Sequence, residues 1–90
     1  MSVFRDNTHA HRYELDHKGG PSFARYRDGE GVRVIVHVET PAPARGQGHA
    51  AALMQALTEH ARASGLKLTP VCGYARAWFA RHSSAQDVLA

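Results

Sequence analysis

Cysteine is almost missing from this chain: Cys72 stands alone in 90 residues. No internal disulfide can form, which is compatible with a reducing compartment. No apolar run approaches the ~20 residues that span a bilayer, and Met1-Ser-Val-Phe-Arg-Asp-Asn7 does not read as an export signal, so a cytoplasmic place without a membrane partner is expected. There is no block of five or more like charges, no internal repeat and no low-complexity tract. The glycine-rich stretch lacks Gly-Lys-Ser/Thr, which excludes a P-loop. Gly46-x-Gly48-x-x-Ala51 has no acidic residue about 20 positions on, as a Rossmann unit would require. His9, His11 and His17 lie near the terminus, where histidines bind metals only adventitiously, and no metal site is assigned.

What is present suits one small domain over residues 1–90, since a chain of this size buries roughly 60–65% of its unfolded surface around one modest core. A hydrophobic share of 43% against 21% charged is that of a globular protein. The 11 Lys and Arg against 8 Asp and Glu give a net charge of +3, as well suited to an anionic small molecule as to a nucleic acid. Seven histidines would add positive charge below neutral pH and strengthen anion affinity there.

The segment Thr40-Pro-Ala-Pro-Ala-Arg-Gly-Gln-Gly-His-Ala50 organises the rest. Two prolines hold the approach extended, Gly46 and Gly48 allow a tight turn, and an amphipathic helix over about Gly48–Ser64 follows at once. A helix start leaves backbone N–H groups without partners, and its dipole favours negative charge. Arg45 adds donors suited to phosphate oxygens.

Along the chain, Val3–Asn7 reads as a frayed lead-in to a strand at Arg12–Leu15. Gly19-Gly20 predicts a hairpin to Ser22–Tyr26, and a turn at Arg27–Gly31 leads into the strongest strand, Val32–Glu39. Its alternation puts Val32, Val34, Val36 and Val38 on an expected core face and Arg33, Ile35, His37 and Glu39 on the other. In the helix, Leu53, Met54, Leu57 and Ala61 form the buried stripe, Arg62 sits near the C-terminal end and Gly65 ends it. Leu66–Cys72 reads as a strand with Pro70 marking a bend or sheet edge. Tyr74, Ala75, Trp78, Phe79 and His82 have helical spacing, and the tail Gln86–Ala90 reads as a brief strand or frayed end. The expected class is α/β or α+β: a mixed, mostly antiparallel sheet flanked by two main helices.

Arg45, Gly48 and Ala50 fit the acyl-CoA loop of the Gcn5-related N-acetyltransferases: Gln or Arg, two residues, Gly, one residue, then Gly or Ala. The longer succession His37-x-Glu39, Arg45-Gly-x-Gly48, a helix, Gly65-Leu-Lys67, Pro70-x-Cys72, Tyr74 and Arg81-His82 resembles the small YjdJ-type subfamily of that superfamily over nearly the whole chain. This chain departs from the subfamily at His49, at Cys72-Gly-Tyr74 and at His82-Ser-Ser-Ala85.

The resemblance implies an enzyme that moves the acetyl group of acetyl-CoA to a primary amine, either a protein lysine or N-terminus or a small amine, by direct transfer in a ternary complex. It implies a cofactor site of Val38, Thr40, Arg45, Gly46, Gln47, Gly48, His49 and Ala50. Pyrophosphate would lie on the N–H groups of about Gln47 to Ala50, and the pantetheine arm along the strand ending near Glu39. The acetyl group would sit where that strand parts from the one ending at Cys72. Glu39 or His37 would take the amine's proton, backbone N–H groups near Val38–Thr40 would polarise the carbonyl, and Tyr74 would donate to the departing thiolate, with Cys72 and His82 behind it. Cys72 has two readings, a small buried hydrophobe or an acyl acceptor. The alternative function is a non-catalytic acyl-CoA-binding or protein-interaction module. A nucleic-acid role lacks any recognition motif. The sequence leaves the acceptor and the oligomeric state open.

Overall fold

The structure is a computed structural model and describes residues 3–90. Four strands come first: β1 (Phe4–Asn7), β2 (Arg12–Leu15), β3 (Ser22–Asp28) and β4 (Val32–Glu39). A 3-10 turn at Ala42–Ala44 leads to helix α1 (His49–Ser64), strand β5 (Lys67–Pro70), helix α2 (Gly73–Arg81) and a closing 3-10 segment, Ser83–Val88. The sheet runs β1-β2-β3-β4-β5, antiparallel throughout except for the parallel pair β4 and β5. Parallel neighbours need a long crossover, and α1 is that crossover.

The lead-in expected to fray forms an edge strand instead. Phe4 to Asn7 pair with Leu15 to Arg12, and the Phe4 ring stacks on Tyr13 with centroids 5.5 Å apart. Arg5 fastens the strand further through Glu14 at 2.6 Å and Asp16 at 2.8 Å. These are contacts between distant residues, so the short mixed segment carries no periodic signal of its own.

The expected core face of β4 is also corrected. Arg33 and Ile35 are buried, whereas Val32, Val34 and Val36 are only half-covered on the opposite face. The reason is a bulge: Arg25 faces His37 and Tyr26 faces Ile35, so Val36 is an extra residue on β4. An extra residue shifts a strand's alternation by one. Ile35 before it and Val38 after it therefore both meet the core.

Arg33 tolerates this position because its charge is matched. It donates to Asp28 at 2.6 Å, Asp6 at 2.8 Å and the Tyr13 hydroxyl at 3.1 Å, and its guanidinium lies 3.9 Å from the Tyr26 ring centroid. Burial alone would weaken its hold on the proton, but the bonds it donates to Asp28, Asp6 and Tyr13 outweigh that and keep it cationic.

Both helices cover the same face of the sheet. Leu53, Met54, Leu57 and Ala61 of α1, with Ala75, Trp78 and Phe79 of α2, pack into one cluster with Tyr13, Ala24, Ile35 and Leu68. Each large apolar side chain fully buried there contributes roughly 1.5–3 kcal/mol. Gly65 ends α1 in the left-handed region at φ 72°. Pro70 closes β5, which is the last strand of the sheet, and the tail is held by a 3-10 segment and a parallel bridge from Leu89 to Leu68. Arg62 clamps this tail through two bonds to the Asp87 carboxylate, at 2.8 and 2.7 Å.

Candidate functional site

The site begins where β4 and β5 part. Their pairing stops at Ile35 and Pro70, and the amides of Val71 and Cys72 both turn to the Ile35 carbonyl, at 2.9 and 3.4 Å. Beyond Ile35 the β5-facing edge of β4 has no strand partner among the described residues. Past Thr40 the 3-10 turn and the Gly46-x-Gly48 segment carry the chain to α1. Gly46 has φ 80° and Gly48 φ 79°, values that a side chain would strain. Gly48 caps α1 without a side-chain bond, and no acidic residue stands in the first turn. The N–H groups of His49, Ala50 and Ala51 thus lack intrahelical acceptors and point their dipole ends outward.

These groups line a cleft of about 300 Å³ whose walls include Thr40, Arg45, Gly46, Gly48, His49 and Ala50. Tyr74, from the first turn of α2, lines it as well. Arg45 donates through Nε to the Thr40 carbonyl at 3.0 Å, which leaves its terminal nitrogens clear of that bond. Gln47 meets His49 at 3.3 Å between Oε1 and Nε2. Tyr74 is 39% exposed, and burial of the rest of the ring pushes its hydroxyl pKa up against a small opposing effect of Arg81.

The candidate proton acceptors sit elsewhere. His37 Nε2 lies 3.2 Å from Glu39 Oε1 on the open face of the sheet, with both side chains half-exposed and neither lining the cleft. Cys72 is half-buried at the N-cap of α2, where its Sγ accepts from the Ala75 amide at 3.3 Å. His82 is committed to structure: its Nδ1 donates to the Trp78 carbonyl at 2.6 Å and its ring stacks on Trp78 at 4.0 Å. The structure therefore gathers Thr40, Arg45, the two glycines, His49, Ala50 and Tyr74 at one cleft. His37, Val38, Glu39, Gln47, Cys72 and His82 are not among the residues that line it.

Two residues that sequence reasoning passed over support the cleft from below. His17, in the β2–β3 turn, stacks on His49 with ring centroids 3.7 Å apart and planes 5° from parallel. Its Nε2 is 2.7 Å from the fully buried Ser22 hydroxyl, which lies 2.9 Å from Thr40 Oγ1. No spacing pattern joins His17 to Thr40 or His49, because the link forms only when β2–β3 folds beneath the loop.

A model of the GCN5-related N-acetyl-transferase family matches residues 12–88. The chain belongs to that family. That membership makes it an acetyltransferase of the GCN5-related type. A comparison with solved structures finds similarity to the solution NMR structure of a GCN5-like protein from Staphylococcus aureus, with a TM-score of 0.69 at 22% identity, covering 98% of this chain and 87% of that one. At that identity the likeness speaks for the fold. A comparison with curated protein sequences gives no match. No helix among the described residues is long and apolar enough to cross a membrane.

Proposed function

We propose that this acetyltransferase uses acetyl-CoA as donor and a primary amine of a protein, a lysine or an N-terminus, as acceptor, by direct transfer. The observation that carries the reading is the uncapped start of α1 opening with Arg45 into a cleft that Tyr74 also lines. The fit is chemical: free amides, a helix dipole and a guanidinium all favour a polyanionic ligand, and among the described residues no carboxylate lines the cleft to oppose one. Bound acetyl-CoA supplies the activated acetyl thioester. Arg45 and the amides of Gln47 to Ala50 would hold its pyrophosphate, and the edge of β4 around Val38 would offer main-chain groups to the rest of the donor.

Glu39 or His37 takes the proton from the incoming amine, directly or through water, since both side chains are half-exposed on the open side. Tyr74, held in its protonated form, is the donor on the cleft side. A small domain with the acetyl end open suits an acceptor that brings its own bulk, which favours a protein over a free amine. Calorimetry of the pure chain with acetyl-CoA tests the first part, with saturable uptake expected; at 100-fold above the dissociation constant the ligand should add about 2.7 kcal/mol of stability. Thiol release with lysine peptides tests the second. No uptake of acetyl-CoA would end the reading, and uptake without thiol release would leave a binding module.

A further inference from the structure

The open face of the sheet is unlike the surface of a sheet that merely meets water. Both helices lie on the other side. What remains exposed here is a strip of apolar side chains, Val34 and Val36 on β4 and Phe23 on β3, half-covered, with Arg25 and Arg27 standing beside it. At the Val36 end of this strip lies a second cavity of about 550 Å³, walled by Val36 with Ala10, His11, Arg25, Tyr26 and Arg27. The turn is fixed there: the Tyr26 amide donates to the His11 carbonyl at 2.8 Å, and His11 takes a positive φ of 54° to allow it.

The charge at this cavity is uncompensated. Arg5 and Arg12 are bound to Glu14, Arg33 to Asp6 and Asp28, and Arg62 to Asp87. Arg25 and Arg27 form no ion pair and no side-chain hydrogen bond among the described residues. Asp28, the one carboxylate in the cavity wall, is already taken by Arg33 at 2.6 Å. Two guanidinium forks over an apolar floor are the chemistry that receives carboxylates on a chain with some apolar surface.

Position supplies the rest. Arg25 pairs with His37 across the strands, and Phe23 with Glu39. A line along β3 from Arg27 to Phe23 covers four residues, roughly 13 Å, and ends beside His37 and Glu39. We infer that the open face is a docking track for an extended, carboxylate-bearing segment of the acceptor protein, anchored at Arg25 and Arg27. Its acceptor amine would lie about three to five residues from the acidic anchor, beside His37 and Glu39. This rests on the acyl-transfer reading for what happens at the amine, but the binding itself does not. A nucleic acid fits less well: its phosphates would meet Glu39 at the end of the track, and Phe23, the aromatic ring on the strip, already carries Arg12 at 4.6 Å from its centroid.

The test uses fluorescent peptides carrying one lysine with glutamates about four residues away, and matched peptides with glutamine or lysine there. Anisotropy is read against the full chain without acetyl-CoA at about 50 mM salt, where exposed charges are least screened. The glutamate peptide should bind about five- to tenfold more tightly than the glutamine one. The pair Arg25→Glu with Arg27→Glu should reverse the preference toward the lysine peptide, and Arg25→Gln with Arg27→Gln should erase it. Equal binding of the wild-type chain to all three peptides would overturn the proposal. So would a preference that survives charge reversal, or tighter binding of a single-stranded oligonucleotide than of the glutamate peptide. Because acetyl-CoA uptake is measured separately, a failed track with intact uptake removes only the docking inference, and a working track without uptake removes only acyl transfer.

Discussion

The imidazole of His17 lies flat on that of His49, with centroids 3.7 Å apart, while its Nε2 reaches through Ser22 to Thr40. One side chain thus sets two walls of the cleft. His17→Ala should weaken acetyl-CoA binding about three- to tenfold while the fold persists, since His17 is only half-buried. His17→Phe keeps a stacking ring and loses the bond to Ser22, so it separates the two supports. In a His49→Ala background the remaining effect of His17→Ala should be that of Ser22 and Thr40 alone. Calorimetry on the four proteins measures this, and full additivity of the two alanine changes would refute the coupling.

Arg45 is exposed, and among the described residues its side chain makes one hydrogen bond, to the Thr40 carbonyl. Arg45→Glu should therefore leave the melting temperature nearly unchanged and reduce acetyl-CoA affinity at least tenfold, with a shallower salt dependence. Arg45→Lys should fall between, because an ammonium offers charge without the planar fork. A melting temperature that drops with the affinity would show that the side chain serves the loop rather than the ligand.

The loop was legible in the residues because its chemistry is local: Arg45, two glycines one apart and an apolar stripe at helical spacing are adjacent in sequence. The stripe of α1 was equally legible, with Leu53, Met54, Leu57 and Ala61 all fully buried. What local pattern could not show was β1, the inward turn of Arg33, or the His17–Ser22–Thr40 connection. β1 exists through pairing with β2, and Arg33 faces inward because Val36 bulges and because Asp6 and Asp28 arrive from other strands. In each case the deciding partner lies beyond the window in which periodicity operates.

Thr58 offers a stability test independent of function. Its hydroxyl is fully buried on α1 and has no hydrogen-bond partner among the described residues. An unpaired buried hydroxyl is costly, and valine has nearly its shape. Thr58→Val should raise stability by about 1 kcal/mol, read as a higher midpoint in denaturant with an unchanged slope. Thr58→Ala should instead destabilise by leaving a void.

Acid sensitivity should centre on Glu14. Burial of this carboxylate on the open face favours its protonated form, but hydrogen bonds from Arg12, Asn7 and Arg5 outweigh that and hold its pKa below the ordinary range. The folded pKa is thus lower than the unfolded one, so the unfolded chain binds more protons as the solution is acidified. Its contribution is complete above the unfolded value, near pH 4.5, and is lost as the pH falls from there through the folded value. Glu14→Gln should flatten that part of the stability curve in urea titrations from about pH 5 down to pH 2. An identical acid limb in the variant would place the sensitivity on other carboxylates such as Asp16 or Asp87, which Arg5 and Arg62 also hold low.

Tyr74 joins the cleft to the start of α2 and puts a hydroxyl there that its partial burial keeps protonated. If that hydroxyl gives its proton to the departing thiolate, Tyr74→Phe removes an interaction made as the bond breaks and not before. Acetyl-CoA affinity should then stay within about twofold, while thiol release falls roughly 10²-fold, the usual scale for a positioned proton donor. The pKa shift is upward, so ionisation of the tyrosine should not depress the wild-type rate until the pH passes its ordinary value of about 10. Below that, the alkaline rise of the rate should follow deprotonation of the acceptor amine and should persist in Tyr74→Phe at a lower level. A variant that loses affinity and turnover in equal proportion would show the ring to be a wall of the cleft, with the proton coming from water.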